Sequence, residues 1–473
     1  MKFHIFPADD PRSATRAILL FAGWGMDEKP FVRTGLQGYT LIVIWDYRDS
    51  SFPPELHGML RDFREIAVIG WSFGVPAATE FILSNPDLPV TARIAVNGTM
   101  HPVHDHLGIP TEIFRGTLEG LTEKSLSKFY LRMCGSSALF REFSETYPRR
   151  TVDELREELS AIADRQAIAP RGVWDRAVIC KGDRIIPPDN QEAAWRDEAF
   201  GIIRTDAPHL PDFNSLLAAL LTEKSLVAER FARAERTYDD NAVVQRRIAR
   251  KLISLVPRRS ATVGRALEIG CGTGMTTGML VGEIPVADLE VWDLHLPASL
   301  PSSIGSTRIT GRECDAETEI RCLPDGSLDL IFSASTMQWF NSPGSFLREC
   351  LRVLRPGGHA VISTFGPETM REISGAPARR QYPDDAAIGQ MLPAGCQKIH
   401  LSSEIHTIHF PTPADALRHV SLTGVNALSR NAGGATARSV MAAYPLAPDG
   451  SAPLTYQPIY IVFGRPRHPS MYL

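Results

Sequence analysis

Short runs of consecutive apolar residues alternate with stretches of helical periodicity along the first part of the chain. The runs 17–22 (AILLFA), 40–45 (TLIVIW), 65–70 (EIAVIG), 92–97 (ARIAVN) and 176–182 (RAVICKG) are each followed by turn residues and predict strands. FGIIRTD, just before His209, predicts another. This βα rhythm predicts an open, mostly parallel sheet. Between Gly108 and Pro170 the strand signal vanishes, and 121–133, 136–147 and 151–166 read as amphipathic helices, the last opened by a Thr151/Glu154 capping box. A helical insertion over one end of the sheet is expected at about 108–170.

The pattern restarts after a helix predicted at 212–225. Positions 228–256 read as one arginine-rich helix closed by Pro257, followed by strands at 265–270, 288–294, 327–333 and 358–365 and late strands at 398–410 and 454–465. The boundary is expected near 225, giving domains 1–225 and 226–473. At 473 residues the chain exceeds what a single core supports, so two domains or three are expected. The halves share no repeat.

Composition narrows the picture only by exclusion. Hydrophobic content of 44% and charged content of 22% are ordinary globular values, and a net charge of -4 gives no whole-chain case for nucleic acid or membrane surfaces. Pro7 and Asp9-Asp10 interrupt the first apolar stretch, no run is long enough to span a bilayer, and a cytoplasmic protein is expected. Seven scattered cysteines without a CxxC pair suit neither a disulfide framework nor a zinc site, so reduced thiols and no metal are expected.

The segment VIGWSFGVPAATEF (68–81) places Gly70-Trp71-Ser72-Phe73-Gly74 between a strand and a helix. A GxSxG turn needs its glycines because flanking side chains would collide there, and it presents the serine as a nucleophile. The base and acid follow in the order Ser, Asp, His: Asp183 comes after the strand ending at Gly182, and His209 lies in a later loop. Asp105 is the competing acid, in a loop also holding His101, His104 and His106, and that loop can equally be polar without a catalytic part. Oxyanion donors are expected from the backbone N–H of Phe73 and of Trp24 in FAGWGMD.

ALEIGCGTG (266–274) ends a strand on Glu268 and continues into Gly270, Gly272 and Gly274. This resembles the first motif of class I S-adenosylmethionine (SAM) methyltransferases. The rival is a nucleotide-phosphate turn, but the third glycine comes one residue early for GxGxxG and no Walker lysine follows. The resemblance implies that Glu268 receives the ammonium of the cofactor, Asp293 its ribose hydroxyls, and Asp315 with Ala316 its adenine.

Through FAGWGMD, GWSFG, NGTMHPV and GDRIIPPDNQ, residues 1–220 resemble pimeloyl-ACP (acyl carrier protein) methyl ester esterases, which implies an α/β-hydrolase fold. Through RFARAERTYDDNAVVQRRIARKL, LEIGCGTG, MQWFNSPGSFLRECLRVLRPGG, STFGPETMREI and LRHVSLTGVNAL, residues 228–465 are similar to malonyl-ACP O-methyltransferases of biotin synthesis. The joint resemblance implies a fusion that caps a malonyl thioester with SAM and later uncaps the pimeloyl product. Tyr238, Gln338, Trp339 and Arg371 are expected to line the acceptor pocket. Acidic carrier proteins would suit Arg246, Arg247, Arg250 and Lys251, or Arg149 and Arg150, although arginines on a helix are usually a solvated face. Two alternatives stay open: a small-molecule carboxyl methyltransferase fused to a general esterase, and a hydrolase half that only docks partners.

Overall fold

The computed structural model describes residues 1–8, 15–164, 172–196, 198–199, 201–257, 262–373, 382–423 and 437–467. The end of the predicted helix 151–166 and the last residues of LRHVSLTGVNAL lie outside the described residues. The chain divides into two compact units, Met1–Leu217 and Ala218–Leu473.

The first unit is built on seven strands: β1 (Lys2–Phe6), β2 (Arg16–Phe21), β3 (Thr40–Trp45), β4 (Glu65–Trp71), β5 (Val90–Val96), β6 (Arg176–Gly182) and β7 (Ile202–Pro208). They are ordered β1-β3-β2-β4-β5-β6-β7, and only β1 runs antiparallel to its neighbour. Every residue of β3 and β4 is buried, which is why they read as unbroken apolar runs rather than alternations. β1 is an edge strand of alternating, half-exposed residues and gave no such run. The helices are α1 (Pro54–Leu60), α2 (Gly74–Ser84), α3 (Thr111–Glu119), α4 (Glu123–Cys134), α5 (Ser137–Ser144), α6 (Val152–Ala163), α7 (Pro188–Trp195) and α8 (Phe213–Leu220). The Thr151/Glu154 capping box forms at the start of α6.

In the second unit, α9 (Lys224–Asn241) and α10 (Val243–Ser254) precede β8 (Val263–Ile269), α11 (Met275–Glu283) and β9 (Val286–Asp293). β10 (Ser303–Ile304), β11 (Thr307–Glu313), α12 (Ala316–Glu319), β12 (Leu328–Ser333), α13 (Pro343–Val353) and β13 (Leu354–Phe365) follow. Beyond β13 come α14 (Asp385–Met391), β14 (Gln397–Ser403), β15 (His406–Phe410), α15 (Pro413–Leu422), β16 (Ala452–Tyr456) and β17 (Pro458–Gly464). Eight strands form one sheet ordered β10-β11-β9-β8-β12-β13-β17-β14, while β15 and β16 pair separately.

Four predicted elements divide. The helix at 228–256 breaks at Ala242, whose ψ of 43° leaves the helical region while its N–H still bonds Tyr238. The weak helix formers Asp239-Asp240-Asn241 precede the break, and the Asn241 amide donates back to the Thr237 carbonyl. The helix at 212–225 ends at Leu220, and a new one starts at Lys224. The late strands at 398–410 and 454–465 each split into two strands that join different sheets, the second at Gln457. β11, polar over most of its length, carries no apolar run and was not anticipated.

Both sheets reverse direction in strand order at one place. In the first, β2 leads outward to β3 and the chain returns to place β4 on the other side of β2; in the second, β12 lies across β8 from β9. Such switch points leave a crevice at the carboxyl ends of the strands, where open α/β sheets bind ligands.

Candidate active sites

Ser72 follows β4 at the first switch point and holds φ of 55°, a left-handed conformation that non-glycine residues rarely adopt. The turn is tight enough that a Cβ on Gly74 would meet the Phe21 carbonyl oxygen at 2.1 Å, so only glycine is accommodated. His209 Nε2 lies 3.0 Å from Ser72 Oγ, and His209 Nδ1 lies 2.8 Å from Asp183 Oδ2. With Nδ1–H donating to the carboxylate, Nε2 is free to accept the serine proton; that tautomer follows from the network.

The three residues sit after β4, β6 and β7, so one sheet edge brings together positions 72, 183 and 209. Asp183 is further fixed by the N–H groups of Ile185 and Ile186 and by the Gln191 amide at 2.8 Å. The His209 carbonyl accepts from the Trp71 indole and the Asn97 amide, both at 2.9 Å. Gln191, Trp71 and Asn97 were missed because an amide or indole donor to a distant loop has no local signature. Asp105 is exposed and accepts from Thr111 N, which holds its carboxyl below the usual range. His104 Nδ1 accepts from His106 N and Leu107 N, so this loop closes on itself and Asp105 is not the group at His209.

The loop after β2 approaches closely: a Cβ on Gly23 would meet Ser72 Cβ at 3.2 Å. Trp24 and Phe73 both line a cavity of about 340 Å³ with Ser72, and its walls are largely apolar, including Ile109, Phe114, Phe129 and Leu159. Arg132 and Arg184 are its cationic members.

The second cavity opens on the glycine turn after β8. Gly270, Gly272 and Gly274 all have positive φ, and a Cβ on Gly270 would strike Thr336 Oγ1 at 1.9 Å. The lining includes Gly270, Gly272, Asp293, Asp315, Ala316, Tyr238 and Trp339. Asp293 accepts from Gly272 N at 2.8 Å, so it shapes the turn as well as facing the cavity; burial raises its carboxyl pKa. Glu268 lies behind the turn rather than in the lining and is 1% exposed. Among the described residues neither of its oxygens makes a hydrogen bond of normal geometry; burial pushes its pKa up to about 7, with the nearby Thr277 hydroxyl pulling the other way.

Gln338 and Arg371 are outside the lining. Gln338 turns its amide back to the Ser335 carbonyl, while Arg371, 54% exposed, pairs with Glu368 and Glu372. Of the basic residues, Arg150 is buried in ion pairs with Asp46 and Glu158, and Lys251 pairs with Glu404, whereas Arg247 and Arg250 are exposed. Among the described residues no acidic, His and Cys cluster could hold a metal ion, and no helix is long and apolar enough to cross a membrane.

Comparison with known proteins follows this division. The chain is 37% identical over 468 residues to a malonyl-[acyl-carrier protein] O-methyltransferase of Bacteroides fragilis, covering 96% of this chain and 93% of that protein. The chain belongs to this methyltransferase family. Within the chain, the family "Pimeloyl-ACP methyl esterase BioG" matches residues 11–215 and a "Methyltransferase domain" family matches 267–362. The second unit is a class I methyltransferase domain joined to a BioG domain. A Porphyromonas gingivalis malonyl-[acyl-carrier protein] O-methyltransferase is 33% identical, over 51% of this chain and 95% of that protein. The crystal structure of BioG from Haemophilus influenzae is 31% identical and covers 44% of this chain and 94% of that one, with a TM-score of 0.39.

Proposed function

We propose that the chain is a two-activity enzyme of biotin synthesis. Its second unit methylates the free carboxylate of a malonyl thioester on acyl carrier protein, using SAM. Its first unit, an α/β-hydrolase capped by α3 to α6, hydrolyses the methyl ester of the pimeloyl thioester. The observation that carries this reading is the presence, on one chain, of a serine-histidine-aspartate relay and a glycine-turn cavity backed by an unpartnered buried carboxylate.

The residues of the second cavity fit SAM. The left-handed glycines let backbone approach a ligand closely, and Asp293 and Asp315 offer acceptors to hydroxyls and an amine. The unsatisfied Glu268 carboxylate beneath the turn favours a cation above it. SAM, when bound, supplies an electrophilic methyl group. The malonyl carboxylate is already ionised at pH 7 and needs no general base, so Tyr238 and Trp339 serve by aiming it and excluding water.

In the first unit, Ser72 Oγ attacks the ester carbonyl as its proton passes to His209 Nε2. The oxyanion faces the N–H groups of Phe73 and Trp24, and His209 then protonates the departing methanol oxygen. Water, deprotonated by His209, releases the acyl group from Ser72. The apolar walls of Ile109, Phe114, Phe129 and Leu159 suit a methylene chain.

Complementation of biotin auxotrophs lacking either activity tests the whole reading. Wild type is expected to rescue both strains, Ser72→Ala only the methylation-deficient one, and Asp293→Ala only the esterase-deficient one. Failure of wild type in both strains overturns the assignment, and a Ser72 unreactive toward fluorophosphonate leaves the first unit a docking module.

A further inference from the structure

Lys224 opens α9, forty-six residues before the glycine turn, and would ordinarily be read as a solvated helix-start lysine. It is instead 7% exposed and lines the cavity. Its ammonium lies 2.6 Å from Asp315 Oδ2 and 2.5 Å from Glu317 Oε2, and 5.5 Å from the centre of the Phe340 ring, which lines the same cavity.

This cluster is built from three separate pieces of chain. Glu317, almost fully buried, accepts from the backbone N–H groups of Asn341 and Ser342, and the Asn341 side chain accepts from Thr222 N at 2.8 Å. The start of α9, the loop after β11 and the segment after Trp339 are thereby held together around one ammonium. Asp315 is gripped at both oxygens, Oδ1 by Glu317 N and Oδ2 by Lys224. A carboxylate gripped in this way cannot rotate, yet each oxygen keeps a lone pair for a further donor. Lys224 also offsets one of two neighbouring negative charges in a buried setting, where an uncompensated carboxylate pair is costly.

We propose that Lys224 is a positioning residue: it locks the Asp315 carboxylate in the orientation that accepts a hydrogen bond from the exocyclic amine of an adenine base. The inference rests on the reading of this cavity as a SAM site and goes beyond it by assigning base recognition to a residue of the pre-motif helix. A freely rotating Asp315 would still be acidic, but it would pay orientation entropy to accept that bond and would reject a 6-oxo base less well.

The test measures binding to the full chain by isothermal titration calorimetry, with S-adenosylhomocysteine and S-inosylhomocysteine as probes. Wild type is expected to prefer the adenine compound by at least about tenfold, because the 6-oxo group presents a carbonyl to Asp315. Lys224→Met is expected to reduce that preference to less than about threefold, and Lys224→Arg to retain most of it. If Lys224→Met does not fold, Lys224→Gln, which keeps a donor but no charge, is measured by the same ratio. A preference unchanged in the Met or Gln variant, with both affinities lowered equally, makes Lys224 merely structural and overturns the proposal. Equal binding of the two probes by wild type also overturns it. Wild type binding neither probe defeats the underlying SAM reading instead.

Discussion

The Tyr130 hydroxyl, on the buried side of α4, donates a 2.7 Å hydrogen bond to the Gly25 carbonyl in the loop after β2. Gly25 has φ of 85°, and the neighbouring Trp24 indole donates to the Leu155 carbonyl of α6 at 2.9 Å. Two helices of the insertion therefore hold the loop whose Trp24 N–H is proposed to meet the oxyanion. Tyr130→Phe is expected to lower kcat for methyl ester hydrolysis about tenfold with KM nearly unchanged, since a misplaced oxyanion donor matters mainly in the transition state. Steady-state kinetics on methyl pimeloyl-ACP provides the check, and a rise in KM with constant kcat would contradict it.

The two candidate acids separate cleanly. Asp183→Asn is expected to reduce ester hydrolysis by about 10³ to 10⁴, because His209 would be held in the wrong tautomer. Asp105→Asn, which alters only what exposed Asp105 accepts from Thr111, is expected to change it less than about twofold. Parallel turnover measurements on the two variants decide between them.

Burial raises Glu268 from 4.5 to about 7. A carboxyl whose folded pKa exceeds its unfolded one favours the fold fully below the unfolded value, and this contribution disappears as pH rises through the folded value. The wild-type second unit is thus expected to lose roughly 3 kcal/mol between about pH 4.5 and pH 7 relative to Glu268→Gln. Denaturant titrations of both proteins across that window test it; parallel pH profiles would refute the assignment.

Arg371 and Tyr238 were both expected at the acceptor, yet only Tyr238 lines the cavity. Arg371→Ala, which breaks exposed pairs with Glu368 and Glu372, is expected to alter methyl transfer to malonyl-ACP less than about twofold. Tyr238→Ala is expected to lower it at least about tenfold by opening the cavity wall. Radiolabelled methyl incorporation at saturating SAM measures both.

Asp293 accepts from Gly272 N and His295 N as well as facing the cavity. Asp293→Ala is therefore expected to weaken S-adenosylhomocysteine binding by more than about tenfold, and Asp293→Asn by less, because the amide oxygen still accepts one N–H. Calorimetric titration distinguishes the two.

Much of this arrangement was legible because parallel strands bury both faces and end in turns. The apolar runs before Gly70, Gly182 and Gly270 marked strand ends, and residues just beyond them, Ser72, Asp183 and Gly272, meet at crevices, whereas Gly274 is outside the lining. The edge strand β1 and the next-to-edge strand β11 were less visible. β1 and β11 expose one or both faces, so their hydrophobic signal is weak. Arg371 was misjudged for a local reason: acidic partners at 368 and 372 already satisfy it.

The sequence by itself determined the two βα series, the tight turns at Ser72 and Gly270, and the order Ser, Asp, His, because these depend on local sterics and on periodicities a few residues long. Only the tertiary structure decided that Asp183 rather than Asp105 meets His209, that Glu268 lies beneath the turn, and that Lys224 belongs to the cavity. Lys224 meets carboxylates 91 and 93 residues away, and Asp183 meets a histidine 26 residues away, just past the end of the next strand. Such pairings are set by strand order and by the cost of leaving a buried charge unpartnered, and neither is written in a local pattern.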